Sequence, residues 1–140
     1  GDLQDVPDLE AKAMKSMEEV LAMSEKLAAR GVGQDAATVR TAFDRIHRFA
    51  PGGPGTHQEV MGPLGPIGWK IGEKERLELS SFALADISDV DERERYRILQ
   101  ATSTRQRFER VLSGTAPARA ELAAKCSLME ATKDSPGEGP

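Results

Sequence analysis

Residues 77–112, LELSSFALADISDVDERERYRILQATSTRQRFERVL, decide the fold of this chain. The stretch divides into three short helices. The first carries Leu77, Leu79, Phe82, Leu84, Ala85 and Ile87 on more than one face, the pattern of a central, largely buried helix. Ser80 and Ser81 are small enough to let a neighbouring element approach closely. Asp89, with Glu92 three residues on, has the spacing of a capping box and predicts the start of a second helix. That helix keeps Val90, Tyr96 and Leu99 apolar and loads its other face with Glu92, Arg93, Glu94, Arg95 and Arg97. Thr102 or Ser103 caps a third helix, in which Phe108, Val111 and Leu112 fall at i, i+3 and i+4. Gly114 supplies a stop.

Upstream, residues 1–7 form a short acidic tail, and Asp8, following Pro7, is placed to cap a long helix over residues 9–30. Met14, Met17, Leu21, Ser24 and Ala28 alternate steps of three and four and make one stripe, which Val20 and Leu27 widen. So many methionines would also suit a plastic binding surface, but a core stripe is the simpler reading. Arg30 complements the helix dipole and Gly31 ends the helix in the left-handed conformation. Asp35 caps a second helix reaching about Phe49, with Val39, Ala42, Phe43, Ile46 and Phe49 on its apolar face. The short connection makes this helix an antiparallel neighbour of the first. Downstream, a last helix is expected over residues 117–132, with Pro117 in its first turn and Leu122, Cys126 and Met129 as its stripe. Residues 133–140 are a polar, mobile tail.

Residues 51–72, PGGPGTHQEVMGPLGPIGWKIG, stand apart. Pro63, Pro66 and the glycines forbid regular helix, so an irregular loop is expected. A disordered linker would be polar, yet this segment carries Val60, Met61, Leu64, Ile67, Trp69 and Ile71. Two readings stand side by side. The loop is strapped over the bundle with Trp69 plugging a gap, or these six apolar residues dock onto another protein, as tryptophan does at interface hot spots. The glycine spacing is not a phosphate loop, since it lacks the G-K-[ST] ending.

Composition agrees with helix. Aromatics make up only 4% of the 140 residues, and Val and Ile are few and dispersed. One domain over residues 1–132 is expected: a helical hairpin at 8–50, the Gly/Pro-rich loop at 51–72 and the short-helix cluster at 73–132. The fold class is all-α, with about five helices. A net charge of −4 argues against a nucleic-acid protein, whose footprint is basic. No apolar run approaches the roughly 20 residues of a membrane span, so any membrane association is peripheral. The chain starts at Gly1 with no signal-like apolar stretch, as a processed mature protein or one trimmed at its start.

The spacing in residues 77–112 resembles the C-terminal helical part of the Lon-protease N-terminal, substrate-binding domain. Members of that family carry a buried helix rich in Leu, Ser, Phe and Ala, a short acidic turn, and a helix ending in a Leu-Leu-Glu-like triplet. A capped helix with Arg-Leu then Leu-Leu follows. The corresponding residues here are Ile98-Leu99-Gln100, then Arg107-Phe108 and Val111-Leu112. The first fifty residues match loosely, and protease-less plastid Lon-domain proteins are the most similar. Gly114 and Pro117 depart from the family, whose last helix continues without a break. The resemblance implies no activity, since the family's Ser–Lys proteolytic pair and its ATPase lie in separate domains. It implies either an organellar, plastid linker or accessory subunit, with a photosystem–antenna assembly the first place to look, or a domain that binds unfolded clients through a groove at Met14, Met17 or Phe43.

The residues themselves suggest no enzyme, metal or cofactor. His47 and His57 lack H-x-x-x-H or H-E-x-x-H spacing. Cys126 is the single cysteine and reads as a small buried apolar residue. No serine lies in G-x-S-x-G. The cluster from Asp91 to Arg97, with Arg105, Arg107 and Arg110, could receive an acidic patch or phosphate. The plainer reading is a solvated face laced with pairs such as Asp91 with Arg95. The expectation is therefore a non-catalytic helical interaction module whose partners are protein subunits of a larger assembly, contacted through Val60, Met61, Leu64, Ile67, Trp69 and Ile71.

Overall fold

In the computed structural model, which describes residues 4–88 and 90–133, the Met-rich stripe is a helix, α1 (Val6–Ala28), one turn longer at its front than the sequence suggests. Asp5, not Asp8, is the N-cap, and Pro7 sits in the first turn. Proline there has no N–H to satisfy, and the Asp5 carboxylate meets Arg105 at 3.1 Å instead of capping. Residues 1–3 and the tail beyond 133 lie outside the described residues. Met17, Val20, Leu21 and Leu27 are buried as the stripe requires, and Val6, Ala13 and Glu10 extend it. Gly31 has φ +76°, left-handed as expected.

Asp35 caps α2 (Ala36–Ile46), accepting from the Thr38 N–H at 2.9 Å. The Thr38 N–H, then its hydroxyl, hold the Asp35 carboxyl below its ordinary value. The Arg40–Glu25 ion pair and the approach of His47 to Glu18 show α2 running antiparallel to α1. The buried helix α3 (Glu73–Ile87) follows the hairpin described below, and Ser80 and Ser81 are buried on it as close-approach positions.

The next helix, α4 (Glu92–Gln100), is capped by Asp91, whose side chain accepts from the Glu94 N–H at 2.7 Å. The Asp89–Glu92 capping box falls partly on Asp89, outside the described residues. Because Asp91 caps, it does not pair with Arg95, which donates instead to the Ser88 carbonyl. The buried face of α4 is that of Ile98, while Tyr96 and Leu99 are exposed.

Ser103 caps α5 (Thr104–Lys133), a single helix where a stop at Gly114 and a restart at Pro117 were expected. Gly114 marks a close approach: a Cβ there would lie 3.0 Å from Val90 Cγ1. The Thr115 hydroxyl donates back to the Val111 carbonyl at 2.8 Å in the turn before Pro117. The two long helices are therefore α1 and α5. They run parallel, linked by Asp5–Arg105, Glu19–Arg119 and Lys26–Glu130. Cys126 is buried between them against the Met23 carbonyl.

One core joins all five helices, with Met17, Val39, Leu84, Ile98, Phe108 and Val111 at its centre. The fold is all-α apart from one small sheet. No helix among the described residues is long and apolar enough to cross a membrane.

Candidate functional site

The small sheet replaces the irregular loop expected at residues 51–72. After a 3-10 turn (Pro54–Thr56), β1 (His57–Gly62) pairs antiparallel with β2 (Gly65–Lys70), from His57↔Lys70 to Gly62↔Gly65. Pro63 and Leu64 form the connection, and Gly65 takes φ +124°. Pro66 fits because each strand of a lone hairpin has an unpaired edge.

Side chains alternate across the hairpin. Val60, Ile67 and Trp69 share one face with Gln58, and Met61 shares the other with His57, Glu59 and Lys70. No strand residue is buried. Leu64 at the tip is 104% exposed, Met61 80% and Trp69 43%. Ile71, at the base, is partly covered, and its N–H donates to the Thr56 carbonyl at 3.0 Å. The reading in which Trp69 plugs a gap in the bundle is therefore overturned. The structure gathers Val60, Met61, Leu64, Ile67 and Trp69 on one projecting element, with Ile71 at its root.

The base of this element is fixed by Arg76, which the sequence reading passed over. Arg76 is 5% exposed, and all five of its N–H donors are used. Nη1 donates to Glu10 Oε2 at 2.7 Å and to the Phe49 carbonyl at 2.9 Å. Nη2 donates to Glu10 Oε1 at 2.8 Å and to Glu73 Oε1 at 2.7 Å, and Nε to Glu73 Oε2 at 2.9 Å. Hydrogen bonds to Glu73, then to Glu10, raise the Arg76 pKa further above its ordinary value, and the Arg76 bond holds Glu73 below its own. One guanidinium thus ties the chain entering the hairpin, the chain leaving it and α1 together. Gly53 completes the base, since a Cβ there would come within 2.3 Å of the His47 carbonyl oxygen. A signal was available: Glu10 shares the stripe of Ala13, Met17 and Val20, and a carboxylate there requires a buried cation.

The other candidates disperse. Arg107 is not on a solvated face but buried, donating to Ser81 Oγ at 2.9 Å and to the Ala101 carbonyl at 3.0 Å. Its guanidinium lies 3.8 Å over the Phe82 ring, and burial lowers its pKa, with Glu78 opposing. His47 packs against the Phe43 ring at a tilt of 58°, and the exposed His57 has Thr56 Oγ1 at 3.3 Å. No group of three or more His, Cys, Asp and Glu among the described residues is placed to hold a metal. Met17 lies at the floor of a cleft, and Met14 and Phe43 are partly buried against the core.

Fold and site together define a helical module that presents a clamped, apolar β-hairpin. No family model, curated protein or solved structure matches the chain, so the functional reading rests on this geometry.

Proposed function

We propose that this chain is a non-catalytic interaction subunit that docks into an apolar groove of a partner protein through the β1–β2 hairpin. The observation that supports it is the exposure of Val60, Met61, Leu64, Ile67 and Trp69 on an element whose base is locked by Arg76. An isolated two-stranded hairpin is marginal in water, and a cluster of exposed large apolar groups marks an interaction site. The clamp lowers the ordering cost of binding, because the hairpin is held before the partner arrives. The unpaired edges offer main-chain hydrogen bonds to a partner strand as well.

A linker or accessory role in a larger assembly follows from this reading, and the resemblance to protease-less plastid Lon-domain proteins suggests an organellar one. Lon-like recognition of unfolded clients is the second reading. It is favoured by the unbroken α5, the arrangement of the last helix in that family. Affinity purification from the native source, without crosslinking, tests both. The docking reading expects one stoichiometric protein that is lost with Leu64→Asp and Trp69→Ala while helical content is unchanged. A scatter of sub-stoichiometric clients, insensitive to those substitutions, would favour client recognition. Trp69 is the single tryptophan, so a blue shift of intrinsic fluorescence on adding the purified partner reports burial of the hairpin directly.

A further inference from the structure

A cleft of about 580 Å³ opens between α2 and α5, with α1 beneath it, and none of the clamp residues lines it. Its floor is apolar: Met17, Val20, Leu21 and Leu27 from α1, with Ile87 and Leu122. Met17 to Leu27 spans about 15 Å at the helical rise. The charged residues lining it are Arg45, Arg95 and Lys125, and no Asp or Glu lines it. Among the described residues, Arg45 pairs with Asp86 and Lys125 with Glu121, whose side chains are largely exposed, and such surface pairs hold a cation weakly.

Arg95 differs. It has no carboxylate partner among the described residues; one Nη2 donates to the Ser88 carbonyl, and its buried Nε has no hydrogen-bond partner. A half-buried guanidinium with no carboxylate beside it lines the cleft, and an anion there would balance its charge.

We propose that this cleft binds an amphipathic anion, a free aliphatic carboxylate whose chain lies along α1 and whose head group meets Arg95 with Arg45 and Lys125 nearby. Two features select this occupant. The volume lies in the range of small-molecule pockets and is too small to take in a whole helix of a partner. The apolar floor, with charged lining residues that are all cationic, complements a molecule that is apolar along its length and negative at one end. The site is separate from the hairpin and stands whether or not the hairpin docks.

Isothermal titration calorimetry of the full chain with sodium dodecanoate, kept below its micelle-forming concentration, tests the site. One dodecanoate per chain is expected, with dodecan-1-ol binding at least about tenfold more weakly, since a hydrogen bond to a charged group is worth that much or more. Arg95→Gln should weaken dodecanoate by a similar factor. Ser24→Phe, which fills the cleft from a partly exposed position, should abolish binding with the circular dichroism spectrum unchanged. Should Arg95→Gln fail to fold, Arg45→Gln with Lys125→Gln, both on exposed side chains, replaces it and should weaken binding too. Trp69→Ala should leave the affinity as it was. No binding of dodecanoate, equal binding of the alcohol, or binding indifferent to Ser24→Phe overturns the proposal.

Discussion

At the scale of single residues, Arg76 and Glu10 have side chains no more than 6% exposed and are fully paired, so the cost of breaking them is asymmetric. Arg76→Met leaves the Glu10 carboxylate buried without a partner, and a loss of about 3–5 kcal/mol is expected from urea unfolding. Glu10→Leu combined with Arg76→Met should recover most of that loss, because two apolar groups of similar size avoid the desolvation cost. Glu73 gives the same clamp a pH dependence. Arg76 depresses its folded pKa, so its contribution is full above the unfolded glutamate value of about 4.3 and fades as pH falls through the folded one. Urea midpoints measured from pH 7 down to pH 3 should fall more steeply for the wild type than for Glu73→Gln. Caps and core residues were legible at this scale: Asp35, Ser103, Phe108 and Val111 sit as their spacing requires. Arg76 and Arg107 were not, because a charged residue is read as solvated unless its buried partner, far along the chain, is seen as well.

At the scale of elements, the sequence reading placed the helices, but it broke α5 in two and missed the hairpin for related reasons. Gly and Pro are punctuation only when no tertiary contact overrides them. In α5, Gly114 makes room for Val90, and packing of Phe108, Val111 and Cys126 on either side carries the helix through Pro117. Pro117 therefore sits at an exposed helix-interior position at a local cost. Pro117→Ala restores an N–H donor toward the preceding turn, and a gain of about 1–3 kcal/mol is expected from thermal unfolding. Gly114→Leu should go the other way, since its side chain would have to displace Val90. The hairpin was hidden because Gly62, Gly65 and Gly68 interrupt the alternation that signals a strand. What remained visible was a Gly/Pro segment too apolar for a linker, and that segment is the one that forms the exposed hairpin.

At the scale of the whole molecule, the hairpin and the helices answer to different demands. The core draws on all five helices and on neither strand, so the hairpin adds little to the stability of the bundle. Its two ends are already adjacent, with the Ile71 N–H bonded to the Thr56 carbonyl at 3.0 Å. Replacing residues 57–70 with a short Gly-Asn turn should therefore close without strain on the clamp below it. Loop-closure entropy changes only slowly with length, by about 0.6 kcal/mol per doubling, and here it favours the shorter connection. The expected outcome is a melting temperature within a few degrees of the wild type, about the shift that 1 kcal/mol causes in a domain of this size. Binding of the partner should be lost at the same time. A large drop in melting temperature would mean instead that the exposed strands stabilise the bundle, and the docking element would have to be sought among the helices.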